Sequence, residues 1–189
     1  MKNILKTLNI NNTLSEASKQ ILITKFEKII IKKEKGVATQ FSPSKYIYFI
    51  EQGAVKNHYI NDEGEITVVW FGFESDICIL LSEYLDIDYY PAHFELLEDC
   101  LFYRAPLSDL KQLYKTNIEW ANWGREITEN LLIKTYKEID EYRSMDAKNR
   151  YLHLIENDKN IKNRVPIKDI ASYLGVSPVT ISRIRKLNS

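Results

Sequence analysis

Cysteine is scarce in this chain. Cys78 and Cys100 are the only two, far apart and each in apolar surroundings. No CxxC and no clustered Cys/His spacing is present, so neither a structural zinc site nor a cysteine-ligated iron–sulfur cluster is expected, and the two thiols read as buried structural residues. No apolar run approaches the roughly 20 residues that span a bilayer. The opening residues Met1 to Leu5 lack the apolar core of a secretory signal. The expectation is a soluble protein of a reducing cytoplasm, without a metal, a cofactor or a membrane contact.

Net charge is also missing: 26 Lys/Arg balance 26 Asp/Glu. The balance hides a division. Residues 147–189 hold nine Lys/Arg against three acids, a net of +6, which leaves the first 146 residues at −6. A basic end on an acidic body is the electrostatic footprint of a nucleic-acid module joined to a non-binding part. What the chain does have is apolar mass: 44% hydrophobic and 12% aromatic over 189 residues, enough for one large domain or two small ones. Tyr outnumbers Phe, twelve to seven, so much of the aromatic surface carries a polar handle.

The most informative stretch runs from Val165 to Leu187. Pro166 suits the start of a helix. Ile167, Ile170, Ala171 and Leu174 recur at helical spacing as one apolar stripe. Gly175 follows, the residue that takes a left-handed helix end without steric cost. Ser177 then offers an N-cap hydroxyl, with Pro178 in the first turn behind it. Val176, Ile181 and Ile184 would plug the angle between two short helices, and Ala171 would let them approach. This is the pattern of a helix-turn-helix, whose second helix enters the major groove of DNA. Thr180, Arg183 and Lys186 lie at i, i+3, i+6 on the outward side, where phosphate and base-edge contacts need cations and hydroxyls. The plainer alternative is an ordinary helical hairpin.

Upstream, residues 3–25 read helical, with Thr13 and Glu16 spaced as a capping box. From Phe26 the period changes to two. Val37–Phe41, Tyr46–Ile50, Val55–Ile60, Glu65–Phe71, Ile77–Leu81, His93–Leu97 and Cys100–Arg104 are candidate strands, with Gly53 and Asn61–Gly64 as turns. Regularly spaced short strands point to a β-sandwich or jelly roll. Pro106–Tyr114 reads as a short helix. From Asn117 a long helical pattern follows, its Trp120, Trp123, Ile127, Leu131, Thr135, Ile139 and Tyr142 spaced for a helix–helix seam. Asp146–Glu156 reads as a further helix, and Asn157–Asn160 as a polar loop.

A jelly roll, a long helix and a terminal helix-turn-helix, in that order, resemble the Crp/Fnr family of bacterial transcription regulators. The motifs that carry the resemblance are Tyr46 to Val55, similar to that family's Leu-Tyr-Tyr-Ile-hydrophobic-x-Gly-x-Val strand pair, and Ile170-Ala-x-x-Leu-Gly-Val-Ser177 with Thr180, Ser182 and Arg183. The fold class implied is α+β: an N-terminal antiparallel β-roll over residues 1–116, a dimerisation helix over 117–145, and a helix-turn-helix domain of winged-helix type with a reduced or absent wing over 146–189. The chain stops two residues after Leu187, so any wing would have to precede Val165, where Lys159–Arg164 is short for one. The resemblance implies a homodimer with two recognition helices reading a palindromic site, half-sites about one helical turn apart. Double-stranded DNA and a second copy are the partners implied, with RNA polymerase a further candidate. The DNA-contacting set is Ser177, Pro178, Val179, Thr180, Ser182, Arg183 and Lys186. Arg183 keeps a bidentate guanine reader, Val179 could touch a thymine methyl, and Ser177, Thr180 and Ser182 suit phosphates.

Members of that family that bind cyclic nucleotides carry Phe-Gly-Glu-Leu followed by Arg-Ser or Arg-Thr. Laying Asp76–Ser82 on that cassette puts Ile79 at the Gly, Leu80 at the Glu, and Tyr90 and Pro91 at the Arg and Ser. An anionic phosphate would meet no cation there, and a Pro that cannot donate. Binding of cyclic AMP or cyclic GMP through this cassette is therefore not expected. Any effector is unknown or absent; Ile79, Leu80, Tyr89, Tyr90 and His93 mark the candidate pocket. Two other functions stay open: a ligand-sensing or protein-interaction module with weak DNA binding, and a jelly-roll metal enzyme. The second needs clustered His and carboxylates, and His58, His93 and His153 form no such motif, so an enzyme is not expected.

Overall fold

The computed structural model describes residues 1–85, 87 and 92–187. Two short helices open the chain, α1 (Lys2–Leu8) and α2 (Glu16–Ile23). Residues 3–25 are thus not one helix. Asn11 and Asn12 take φ of 53° and 54°, a left-handed conformation that Asn tolerates better than most residues, and the chain turns there. Thr13 does not cap α2. Ser15, directly before the first helical residue, accepts from the Ser18 N–H. The Thr13 hydroxyl donates to Glu126 instead, and Glu16 pairs with Lys19 at 2.6 Å, so the expected capping box does not form.

The strands are β1 (Glu27–Ile31), β2 (Gln40–Phe41), β3 (Tyr46–Gln52), β4 (Val55–Ile60), β5 (Ile66–Gly72) and β6 (Ile77–Cys78); helix α3 (Leu81–Leu85) precedes β7 (His93–Leu96) and β8 (Cys100–Pro106). They form two antiparallel sheets, β1-β8-β3-β6 and β2-β7-β4-β5. The expected strands at 37–41 and 77–81 shrink to Gln40–Phe41 and Ile77–Cys78, and Leu81 already belongs to α3. Gly53 turns β3 into β4 at φ 113°, where a Cβ would sit 2.5 Å from Cys100 Sγ; the turn requires glycine. Between the sheets lie Tyr48, Ile50, Val55, Phe94, Leu96 and Phe102. The Phe41 ring stands 5.1 Å from Phe102 and 5.6 Å from Tyr48 and Phe94, at distances where offset aromatic contacts are favourable.

Helices α4 (Leu107–Thr116) and α5 (Ile118–Ser144, 27 residues) follow, then α6 (Ala147–Asn157), α7 (Lys159–Arg164), α8 (Ile167–Leu174) and α9 (Pro178–Leu187). The expected polar loop at 157–160 is a one-residue break: Asp158 accepts from the Asn160 N–H and caps α7. Lys159–Arg164 is helical, so no wing lies there. No described helix is long and apolar enough to cross a membrane.

The first half of α5 belongs to the core. Trp120 and Trp123, expected on the seam, are buried with Ile4, Leu8, Leu22, Phe49 and Leu110. Their Nε1–H groups donate to the Ser18 and Thr7 carbonyls at 3.0 and 3.2 Å. A helix period is the same whether the partner is its own chain or another, so spacing alone does not separate a seam from this core. Beyond Ile127 the helix leaves the roll, and Leu131, Leu132, Tyr136 and Ile139 stand exposed. Tyr142 turns inward again, its ring 6.5 Å from that of Tyr173.

Candidate nucleic-acid interface

The helix-turn-helix forms as its residues dictate. Ile170, Ala171 and Leu174 of α8 are buried against Ile181 and Ile184 of α9, with Tyr151, Leu154 and Ile161 beneath them. Gly175 ends α8 at φ 65° and ψ 38°. The Val176 N–H reaches the Ala171 carbonyl at 3.0 Å and the Gly175 N–H reaches Ser172 at 3.2 Å, the paired bonds of a Schellman ending. Ser177 Oγ accepts from the Thr180 N–H at 3.1 Å and caps α9.

With Ile181 and Ile184 buried, the opposite face of α9 is set by the turn of about 100° per residue. It presents Val179, 66% exposed, together with Arg183 and Lys186, both exposed. Among the described residues neither cation forms an ion pair. Ser177 and Pro178 are exposed at the helix start, and Ser182 is half-buried. Thr180 sits at the margin of this face, half-buried, its hydroxyl 2.8 Å from Ser177 Oγ. One of these two hydroxyls donates to the other, so the pair keeps a single O–H for an outside acceptor. Arg185 does not join the outer face: its Nε donates to the Tyr151 hydroxyl at 2.7 Å and its guanidinium lies 5.8 Å from that ring, tying α9 to α6. Lys148, Lys159, Lys162 and Lys168 add exposed positive charge on α6, α7 and α8.

Of the effector set, Ile79, Leu80 and His93 are described, and they lie in different surroundings. Ile79 packs with the Trp120/Trp123 core, Leu80 with the interior between the sheets, and the His93 ring stacks 5.6 Å from His58. Tyr89 and Tyr90, with Pro91, lie outside the described residues. A cleft between α5 and α6 is lined by Asn130, Lys134, Lys137, Glu141, His153 and Asn157 among others, and by none of the effector set.

Sequence reasoning missed how the terminal helices meet the roll. Lys56 of β4 and Glu95 of β7 are opposite one another across the sheet and pair at 3.0 Å. Asp169, in the first turn of α8, closes on the same ammonium at 2.7 Å; the Lys56 and Asp169 side chains are only 3% and 6% exposed. Ser172 of α8 accepts from the Val68 N–H at 3.0 Å and donates to the Ile66 carbonyl at 2.7 Å, covering the free edge of β5. Arg164 grips Glu74 with two bonds of 2.7 and 2.9 Å, also reaches Glu98, and stacks over Phe73 at 5.2 Å. Burial alone would raise the Glu74 carboxyl; Arg164 and the Gly53 N–H outweigh it and hold it below the usual range. One apolar cluster runs through the joint, from Val68, Phe71 and Phe73 to Ile170, Leu174 and Ile181. Lys56 and Asp169 are 113 positions apart, and no local pattern announces such a pair.

No protein-family model and no curated protein matches the sequence. Solved structures are. One described as a Crp/Fnr-family transcriptional regulator of Eubacterium rectale superposes with a TM-score of 0.70 at 18% identity, over 96% of this chain and 87% of that one. FixK2 of Bradyrhizobium japonicum gives 0.68 at 18% identity, over 86% and 83%. The c-di-GMP-responsive global regulator CLP of Xanthomonas campestris gives 0.63 at 14% identity, over 92% of each. The chain therefore has the α+β fold of Crp/Fnr regulators along nearly its whole length.

Proposed function

We propose that this protein is a DNA-binding transcription regulator that acts as a homodimer on a palindromic site and does not answer to cyclic AMP. The observation that carries the reading is the outer face of α9: Arg183 and Lys186 are presented to solvent by a helix whose other face is locked into a capped helix-turn-helix. Two cations and an exposed Val179 at a helix start suit a major groove, the cations for phosphate or guanine and the valine for a thymine methyl. The exposed apolar stripe of Leu131, Leu132, Tyr136 and Ile139 along α5 supplies the surface for a second copy. In the alignment that the Crp/Fnr resemblance implies, Ile79 and Leu80 take the cassette's Gly and Glu positions, which supports indifference to cyclic AMP.

Selection of genomic fragments by the purified protein, followed by anisotropy titration, tests the reading. Affinity should fall steeply between 50 and 200 mM salt as phosphate contacts release counterions. Arg183→Ala should cost about 1–3 kcal/mol and relax preference at one base position. A salt-independent affinity would sink the proposal. Leu132→Glu with Tyr136→Glu should convert the eluting species to a monomer while leaving the circular dichroism spectrum unchanged.

A further inference from the structure

The joint between α8 and the β2-β7-β4-β5 sheet does not cover the surface proposed to read DNA. Asp169, Ser172 and Tyr173 face the roll, whereas Val179, Arg183 and Lys186 face solvent. The docked arrangement therefore leaves the reading helix free while fixing its direction. We infer that the buried Lys56–Asp169 pair, with Ser172 and Arg164, positions the reading helix relative to α5, so that the two heads of a dimer meet one duplex together. This rests on the DNA-reading proposal and names what sets its geometry.

The contacts are of the kind that select an orientation. Lys56 has two carboxylates at 2.7 and 3.0 Å and almost no access to water. A buried ion pair adds little net stability over apolar packing of the same shape, but it tolerates only the arrangement in which both charges are met. Ser172 spans one N–H and one carbonyl of β5, which fixes the sliding position of α8 along that strand. Arg164 grips Glu74 at two points, and a bidentate guanidinium pair is directional. These ties lie at separate points along α7, α8 and the roll, so a rotation of the head would have to break more than one at once. An apolar seam alone would permit such rotation. Lys56, Asp169, Ser172 and Arg164 are accordingly positioning residues, acting on DNA through the placement of α9.

The test compares the full-length wild type with Asp169→Asn and Arg164→Met. Hydrogen exchange at the Val68 amide reports the joint; anisotropy against the selected palindrome and against a duplex with one half-site reports the heads. Both variants should speed Val68 exchange and weaken palindrome binding about tenfold, because two heads at fixed spacing share a binding advantage that loose heads lose. Affinity for the single half-site should not change, since each head remains folded; a general loss of structure would lower both. Arg164→Met touches the half-exposed end of the joint and serves if Asp169→Asn does not fold. Unchanged Val68 exchange in a folded variant, or faster exchange with equal or tighter palindrome binding, overturns the inference alone. Failure of the wild type to bind any duplex removes the DNA reading, and this inference with it.

Discussion

The two sheets of the roll are covered in opposite ways. The β1-β8-β3-β6 sheet carries α1, α2, α4 and the start of α5 over an apolar layer, with Trp120 and Trp123 filling the centre and their indole N–H groups bonded to backbone carbonyls, while Glu51 holds the start of α1 and Lys25 pairs with Asp109 outside that layer. The β2-β7-β4-β5 sheet carries the terminal helices over an apolar cluster threaded with charges: Lys56, Glu95, Asp169, and Arg164 with Glu74 and Glu98. Apolar burial is strong and non-directional. Paired charges in a dry interface contribute less but insist on one geometry. The first cover builds the body; the second aims what is attached to it.

That contrast can be broken from either side. Trp120→Ala should be the most damaging change, costing about 4 kcal/mol by loss of buried contacts and creation of a void, with the whole chain losing stability in urea denaturation. Lys56→Met should cost about 3 kcal/mol, because it leaves the Glu95 and Asp169 carboxylates buried against one another without a cation. Restoring neutrality with Glu95→Gln and Asp169→Leu should recover most of that loss, whereas no polar rescue exists for Trp120. The smallest effect is one of pH. His58 is buried beside Lys56, with Glu95, His93 and Asp169 also near; burial first, and the Lys56 charge next, hold its pKa below the usual 6.5. The neutral ring is thus favoured in the folded state. Its contribution is complete above pH 6.5 and is lost as the pH falls through the lower native value. The urea midpoint should drop between pH 7 and 5, and His58→Phe should flatten that drop.

The same contrast explains what the sequence could disclose. The helix-turn-helix and the strands β3 to β5 were legible because their signals are local: Gly175 at a left-handed helix end, Ser177 as a cap, alternation through Tyr46–Ile50 with Gly53 behind it. The exposed cations of α9 followed from helix period alone. The spacing of Thr13 and Glu16 matches a capping box, yet in the fold Ser15 caps α2, Glu16 turns to Lys19 and the Thr13 hydroxyl to Glu126. Asp158 was read as a loop residue, yet its side chain begins α7. Trp120 and Trp123 fitted a seam as well as a core, and only the fold separates the two. The charged joint was invisible because its members are scattered over β4, β7, α7 and α8. A lysine inside one strand and a glutamate inside another, Lys56 and Glu95, were its traces.

The hydroxyl of Ser172 has one more consequence. Strand β5 ends its sheet, and its outward Val68 N–H and Ile66 carbonyl are met only because α8 lies alongside. A molecule whose head swung away would bare that strand as a template for another polypeptide, the ordinary route from a loosened fold to fibrous clumping. Keeping the head seated thus also guards the protein against its own copies.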